Sequence, residues 1–384
     1  MRILLLAPHP FYQERGTPIA VDLLLQALSK RGDQVDLLTY HEGSDRKYNK
    51  VSIHRIRPLF KITGVKPGLS LKKIVCDVHM FFKFISLMIK NRYDIVHAVE
   101  ESVFMALVVC PLRSIPFIYD MDSSMTTQIV AQHPMLKPVK GILHFIESIP
   151  MRYATVVVPM CDALADNAAR AWAKNIVVLK DVSLVGEVMA DVAQIKDDLK
   201  LTGRIVMYIG NLERYQGIDL MLESFAIARR QYQHVSLVII GGITGDIDEY
   251  QRLAEFLGTS DQVHFLGKKP VAHIGEYMAQ ADILLSPRTE GVNTPMKIYS
   301  YLHSGTAVLA TDLPTHTQVM TPEIAMLAAP DKSDFAAAML ELLKDDELRT
   351  RLATKAREHI DQEHSYPVFE AKVNDLYRQL EQRR

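Results

Sequence analysis

The stretch best equipped for chemistry is Arg288–Thr294 with Pro295 and Lys297 behind it, RTEGVNTPMK. It gathers a guanidinium, a carboxylate, a glycine, small polar residues and an ammonium. A loop of this kind opening onto a helix offers free N–H groups and the positive end of the helix dipole. That combination suits an anion such as a diphosphate. Arg288 and Lys297 add formal charge, and Glu290 can hold sugar hydroxyls or face a developing cation. An ordinary strand–helix–strand unit with a polar turn fits the same residues. A second set is acidic: Glu100, Glu101, Asp120 and Asp122 follow two apolar runs. Paired carboxylates can do acid–base work or hold a metal, and a solvated acidic loop is the plainer reading. Gly16 and Thr17, where the first helix is to start, read by residue type as a turn glycine with an N-cap threonine.

The elements that must position these residues alternate in type. Ile283–Ser286 reads as a strand stopped by Pro287, which cannot donate to a ladder. Pro295 fits the first turn of a helix, Ile298, Tyr301 and Leu302 give that helix one buried stripe, and Gly305 fits just past its end. Ala307–Ala310 begins the next strand. Ile3–Ala7 is a continuous apolar run, the pattern of a central parallel strand. It leads through Pro8–Pro18 to a helix over Ile19–Ser29 and a strand at Gln34–Tyr40. Further strands are expected at Val51–Arg57, Asp94–Ala98, Pro116–Tyr119, Thr155–Val158 and Ile176–Leu179, and helices at Gly141–Tyr153 and Asp162–Trp172. The order then repeats: strand Arg204–Ile209, a loop from Gly210 to Gly217, helix Asp219–Arg230, strands Ser236–Ile240 and Gln262–Leu266. No G-x-G-x-x-G marks a dinucleotide site. The expected class is α/β, two Rossmann-like domains facing a cleft. They would span 1–182 and 183–365, crossing within Lys180–Lys200, with a final helix at Tyr366–Leu380. Ligands of such sheets collect outside the carboxyl ends of the strands.

Bulk properties narrow the partners. A chain of 384 residues is long enough for two domains, and 48% hydrophobic with 23% charged residues is a globular balance. A net charge of −1 argues against a nucleic-acid partner held by bulk electrostatics. Cys76, Cys110 and Cys161 are odd in number and widely spaced, which fits a reducing cytoplasm rather than disulfides or zinc. Five apolar residues after Arg2 are too few for a secretory leader. Leu71–Arg92 reads as a long helix with Phe81, Phe82 and Phe84 and cations at both ends. Packing against the first sheet is the leading reading, and peripheral contact with the inner face of a membrane the other.

The segment Glu290-Gly291, Pro295, then Ser304-Gly305-Thr306-Ala307-Val308 running into Ala310-Thr311-Asp312, resembles the donor-binding signature of the two-Rossmann-domain (GT-B) retaining glycosyltransferases, family 4, also called group 1. Gly210-Asn211-Leu212-Glu213-Arg214-Tyr215-Gln216-Gly217 resembles the G-R-L-x-x-x-K-G loop of that family. The resemblance implies a terminal helix, 366–384, that returns to the first domain, and a hexosyltransferase-like enzyme of glycan biosynthesis. It would move sugar from a UDP- or GDP-sugar to a sugar, lipid-linked or small-molecule acceptor with retention, without an obligatory metal. It assigns catalytic roles to Glu290 and Asp122. Donor and phosphate contacts fall to Gly16, Thr17, Gly210, Asn211, Arg214, Gln216, Arg288, Gly291, Val292, Asn293, Thr294, Lys297 and Ser300, and acceptor contacts to Glu100 and Glu101. Four positions depart from the pattern. Asn211 and Gln216 stand where the Arg and Lys that hold the diphosphate are expected. The second Glu falls at Ser300 when anchored on Gly305 and at Ile298 when counted forward from Glu290, and Asp122 stands where a His is usual. Arg214, Arg288 and Lys297 are expected to compensate. A catalytically silent binding protein of the same fold and a nucleotide-sugar epimerase are the alternatives.

Overall fold

A computed structural model describes residues 1–58, 62–65, 68, 70–185 and 194–383. The chain forms two compact units, Met1–Lys180 with Phe369–Arg384, and Asp181–Val368. Residues 186–193 of the expected crossing stretch, and residues 61, 66, 67 and 69 of the expected loop at Lys61–Ser70, lie outside the described residues.

The first unit is built on β1 (Arg2–Ala7), β2 (Gln34–Thr39), β3 (Val51–Arg55), β4 (Ile95–Val99), β5 (Phe117–Met121) and β6 (Val156–Pro159). They pair in parallel in the order β3-β2-β1-β4-β5-β6. Ile3 to Ala7 are fully buried because helices cover both faces, so the strand has no polar side to show. The second unit repeats the plan with β7 (Arg204–Ile209), β8 (Val235–Ile240), β9 (Val263–Gly267), β10 (Ile283–Ser286), β11 (Ala307–Thr311) and β12 (Met326–Ala328), ordered β12-β11-β10-β7-β8-β9. The strand order turns back between β1 and β4 in one sheet and between β7 and β10 in the other. At each turning point the two neighbouring loops leave in opposite directions and open a crevice. Residues 8–18 and Glu100 lie at the first crevice, and Gly210 and the loop after Pro287 at the second.

Several expectations need correction. The helix placed at Ile19–Ser29 runs from Gly16 to Arg31, closed by Gly32 at a φ of 87°. The helix after Pro295 begins at Lys297. Its lead-in is a tighter turn, with the Ile298 and Tyr299 N–H groups donating to the carbonyls of Pro295 and Met296. Ile176–Leu179 forms only an isolated bridge from Ile176 to Val157 rather than a strand. The helix Thr244–Phe256 carries a weak apolar stripe, with only Tyr250 and Ala254 buried, and was not read from the sequence.

The last helix, Tyr366–Gln382, joins the first unit from Phe369 onward. Val373, Leu376 and Leu380 are buried along it. Its anchor is polar: His97 lies between the Tyr377 hydroxyl, 2.7 Å from Nδ1, and Asp120, 3.0 Å from Nε2. A carboxylate only accepts, so Nε2–H donates to Asp120 and the Tyr377 hydroxyl donates to Nδ1. Asp120 thus serves the fold and not the acidic cluster. Removing that hydroxyl with Tyr377→Phe leaves a fully buried imidazole nitrogen without a donor. The variant should unfold in urea about 1–3 kcal/mol more easily than the parent, and an unshifted midpoint would exclude this anchor.

Candidate active site

In the second unit the loops after β7 and β10 are pressed together, and glycine makes this possible. Gly217 has a φ of 72°, and a Cβ there would stand 2.0 Å from the Pro287 carbonyl oxygen. Gly210 has its own backbone oxygen 2.0 Å from where a Gly241 Cβ would be. The loop from Arg288 to Thr294 is then braced from all sides. The Arg288 guanidinium donates to the Glu290 carbonyl at 2.7 Å and the Asn293 carbonyl at 3.2 Å. Thr315 Oγ1 donates to the Asn293 carbonyl and Gln318 to that of Val292, both at 2.7 Å. The Thr289 N–H donates to the Tyr215 carbonyl at 3.0 Å, and the Thr311 hydroxyl to the Arg288 carbonyl. With the carbonyls turned into these contacts, the N–H groups of Gly291, Val292, Asn293 and Thr294 donate to no acceptor among the described residues.

Beside this loop stand two cations. Arg288 is 8% exposed, its guanidinium 5.1 Å from the Tyr215 ring centre. The Lys297 ammonium is 4.0 Å from the Tyr208 ring centre and 3.4 Å from Gln216 Oε1. Among the described residues neither meets a carboxylate at salt-bridge distance. Burial pulls the Lys297 ammonium well below the ordinary lysine range, and Arg288 pushes the same way. Ring faces and an amide oxygen ease such a charge but do not neutralise it. His316 closes the back. Burial, then Lys297 and Arg288, bring it down to about 4, so it is neutral and ties Ser286 Oγ at 2.9 Å to the Thr311 carbonyl at 2.9 Å. Tyr208, Thr315 and His316 escaped sequence reading because a fully buried side chain leaves the same trace as any core residue, and half-buried Tyr215 was read only as part of its loop.

Not all expected residues join this cluster. Gln216 is buried and touches Lys297, whereas Asn211 and Glu290 are exposed. Arg214 is almost fully exposed and faces Glu249 at 3.6 Å. Ser300 is 6% exposed, and its oxygen already accepts the Leu184 N–H at 3.0 Å. Val292 is 38% exposed, and Thr294 is fully buried with its hydroxyl unpartnered among the described residues.

In the first unit, Gly16 and Thr17 line a cavity of about 310 Å³ together with Glu100 and Glu101. Three further groups there were not foreseen. His9 is 7% exposed, and burial, with Lys73 and Arg15 nearby, brings it down to about 3. It is therefore neutral. Nδ1 donates to the Pro10 carbonyl at 3.1 Å, which leaves Nε2 a buried acceptor with no partner among the described residues. Lys73 pairs with Glu101, and Tyr40 donates to Asp77, whose carboxyl burial and Glu101 raise to about 7. Glu100 sits at a φ of 51° and accepts from Ser123 at 3.0 Å. Burial, then Asp122 and Glu101, push it well above the usual carboxylate range. Asp122 thus lies close enough to Glu100 to repel it, and both belong to the acidic edge.

Two family models match the chain, one on each unit. "Glycosyltransferase Family 4" covers residues 15–179 and "Glycosyl transferases group 1" residues 190–359. A phosphatidyl-myo-inositol mannosyltransferase of Mycolicibacterium smegmatis is 27% identical over 48% of this chain and 47% of its own length. The chain thus spans about half the length of the curated relatives it matches first. A D-inositol 3-phosphate glycosyltransferase of Corynebacterium aurimucosum is 23% identical over 98% of this chain and 96% of that protein. Among solved structures, sucrose-phosphate synthase from Thermosynechococcus elongatus superposes with a TM-score of 0.80 at 18% identity, over all of both chains. HepE of Anabaena, in complex with UDP, gives 0.76 at 14% identity over 99% of this chain and 100% of that one. These likenesses establish the GT-B fold.

The uncompensated ammonium has a measurable sign. An unfolded chain holds the Lys297 proton more tightly than the folded one, so unfolding takes up a proton between the two pKa values and stability rises with pH across that range. Lys297→Met keeps the stem and deletes the charge. The ligand-free variant should be more stable than the parent at neutral pH in chemical denaturation, with a flatter approach to alkaline pH, and a loss of stability would contradict the electrostatic reading. Two domain-specific matches, each on its own Rossmann unit and each with the expected loops at the sheet's turning point, identify the chain as a member of the group 1, family 4 glycosyltransferases.

Proposed function

We propose that the protein transfers a glycosyl unit from a nucleotide sugar to a hydroxyl-bearing acceptor, with retention of anomeric configuration. The observation that carries this reading is the pair of cations, Arg288 and Lys297, without counter-charge among the described residues, beside the N–H groups of Gly291–Thr294 that meet no acceptor there. A diphosphate brings what that place lacks. Charge-assisted bonds to such a group contribute about 1.5–3 kcal/mol each. They strengthen as the sugar departs and charge gathers on the diphosphate, which is where preorganised donors lower a barrier. Lys297 reaches Gln216, so the cation absent from position 216 is supplied from the neighbouring helix. Arg214 stays outside this role. Glu290, exposed on the same loop, is assigned to orient the sugar and face its developing positive charge.

HepE was solved with UDP, which makes a UDP-sugar the first donor to test and a GDP-sugar the second. For the acceptor side we assign the cavity of the first unit. Its neutral His9 Nε2 can accept from a hydroxyl, and Glu100, Glu101 and Asp122 line an edge suited to several hydroxyls at once. The relatives' names point to inositol and phosphoinositide acceptors, so polyols and lipid-linked polyols head the acceptor panel. Asp122 is assigned a catalytic role and Ser300 at most a donated hydroxyl proton to the ribose.

The test is a transfer assay over nucleotide sugars and polyol acceptors, read by NMR at the anomeric carbon, beside calorimetry with UDP and GDP. The expected product keeps the donor's anomeric configuration, and Lys297→Met weakens diphosphate binding at least about tenfold. An inverted product removes the retaining assignment. Nucleotide binding without turnover supports a silent binding protein, free nucleotide released without acceptor supports an epimerase, and an unchanged dissociation constant removes Lys297 from the site.

A further inference from the structure

The helix Leu71–Lys90 has two apolar faces. Cys76, Met80, Phe84, Leu87 and Met88 pack inward against the sheet. On the opposite side Leu71, Ile74, Val75, Val78, Phe82 and Ile89 are exposed, from 37% at Val75 to 82% at Leu71. At 100° per residue these six fall within a narrow stripe along a helix about 30 Å long. Lys72, Lys83 and Lys90 fall in a row on one flank of it, and Lys83 and Lys90 meet no carboxylate among the described residues. The single acid of the segment, Asp77, is turned away into the cavity, where Tyr40 holds it.

The pattern continues on neighbouring elements. The helix Ser102–Val109 packs against both Leu71–Lys90 and Lys140–Tyr153. Its Val108 is 58% exposed, and Leu112 just beyond it 82%. On Lys140–Tyr153, Ile142, Phe145 and Ile146 are exposed one turn apart, with Lys137 and Lys140 at the start and no acid in the sequence between Asp122 and Glu147. Among the described residues the second unit exposes only Ile243, Phe256 and Val292 as large hydrophobics, so this surface belongs to one unit. A soluble surface rarely exposes so many large apolar side chains on helices in contact with one another.

We propose that this face of the first unit lies on the anionic surface of a lipid bilayer. The apolar stripe enters the boundary between headgroups and acyl chains, and the lysine row meets phosphate headgroups. No described helix is long and apolar enough to cross a membrane, so the contact is one of lying on the surface. Charge selects this occupant: an apolar stripe edged with unpaired lysines suits an acidic lipid surface better than a second copy of itself, where the lysines would oppose each other. The inference does not rest on the transfer reaction.

The full chain is spun with vesicles of phosphatidylcholine alone, or of phosphatidylcholine mixed with phosphatidylglycerol, at low and high salt. Binding is expected to the mixed vesicles and to weaken with salt. Lys83→Gln and Lys90→Gln should each lower the partition coefficient about fivefold. The pair Phe82→Ser with Phe145→Ser should lower it at least about tenfold while leaving the circular dichroism spectrum unchanged, since both rings are already exposed. Absence of binding to either vesicle, binding unaffected by these variants, or self-association in lipid-free solution that the phenylalanine pair abolishes would each overturn the proposal.

Discussion

The second unit is organised around positive charge that its own side chains do not neutralise. An ammonium and a guanidinium are held out of water beside tyrosine rings, and among the described residues no carboxylate reaches either. Folding alone does not favour such an arrangement, because each buried charge costs several kcal/mol after relaxation. It makes sense as stored attraction for an anion. The rest of the unit is consistent with that use. Glycines with positive φ let two loops close on each other, and Thr311, Thr315, Gln318 and Tyr215 hold the carbonyls of the loop so that its N–H groups stay free. His316, kept neutral by burial, adds rigidity without adding to the charge.

The first unit solves the opposite problem. Its crevice gathers Asp77, Glu100, Glu101 and Asp122, offset by Lys73, and relieves the crowding by raising carboxyl pKa values rather than by pairing every group. A pocket of partly protonated carboxyls and a neutral imidazole can both donate to and accept from hydroxyls. The sequence offers one acidic edge and one cationic loop. The fold puts each at the turning point of its own parallel sheet, where crevices form.

Much of this was legible in the residues. Continuous apolar runs such as Ile3–Ala7 announced buried parallel strands, and the loop at Arg288–Thr294 stood out by composition. The class of the protein and its family rest on the same stretches, and the family matches bear them out. What stayed hidden is what depends on distant contacts. His97 and Tyr377 are 280 positions apart, and no local pattern joins them. Asp120 looks like its neighbour Asp122 in the sequence, and only the partner at His97 separates them. The two apolar faces of Leu71–Lys90 cannot both be read from period alone, because a stripe does not say which side is covered. Helix starts moved by up to three residues where capping was weak, as at Arg15, whose side chain makes no cap bond.

The most direct measurement is a crystal structure of the protein with an intact nucleotide sugar. The account predicts the diphosphate oxygens within hydrogen-bond distance of Lys297 Nζ and of N–H groups in Gly291–Thr294, with Arg288 still bracing the loop. A diphosphate bound elsewhere, or a loop left empty while sugar and base are seen in another place, would contradict it.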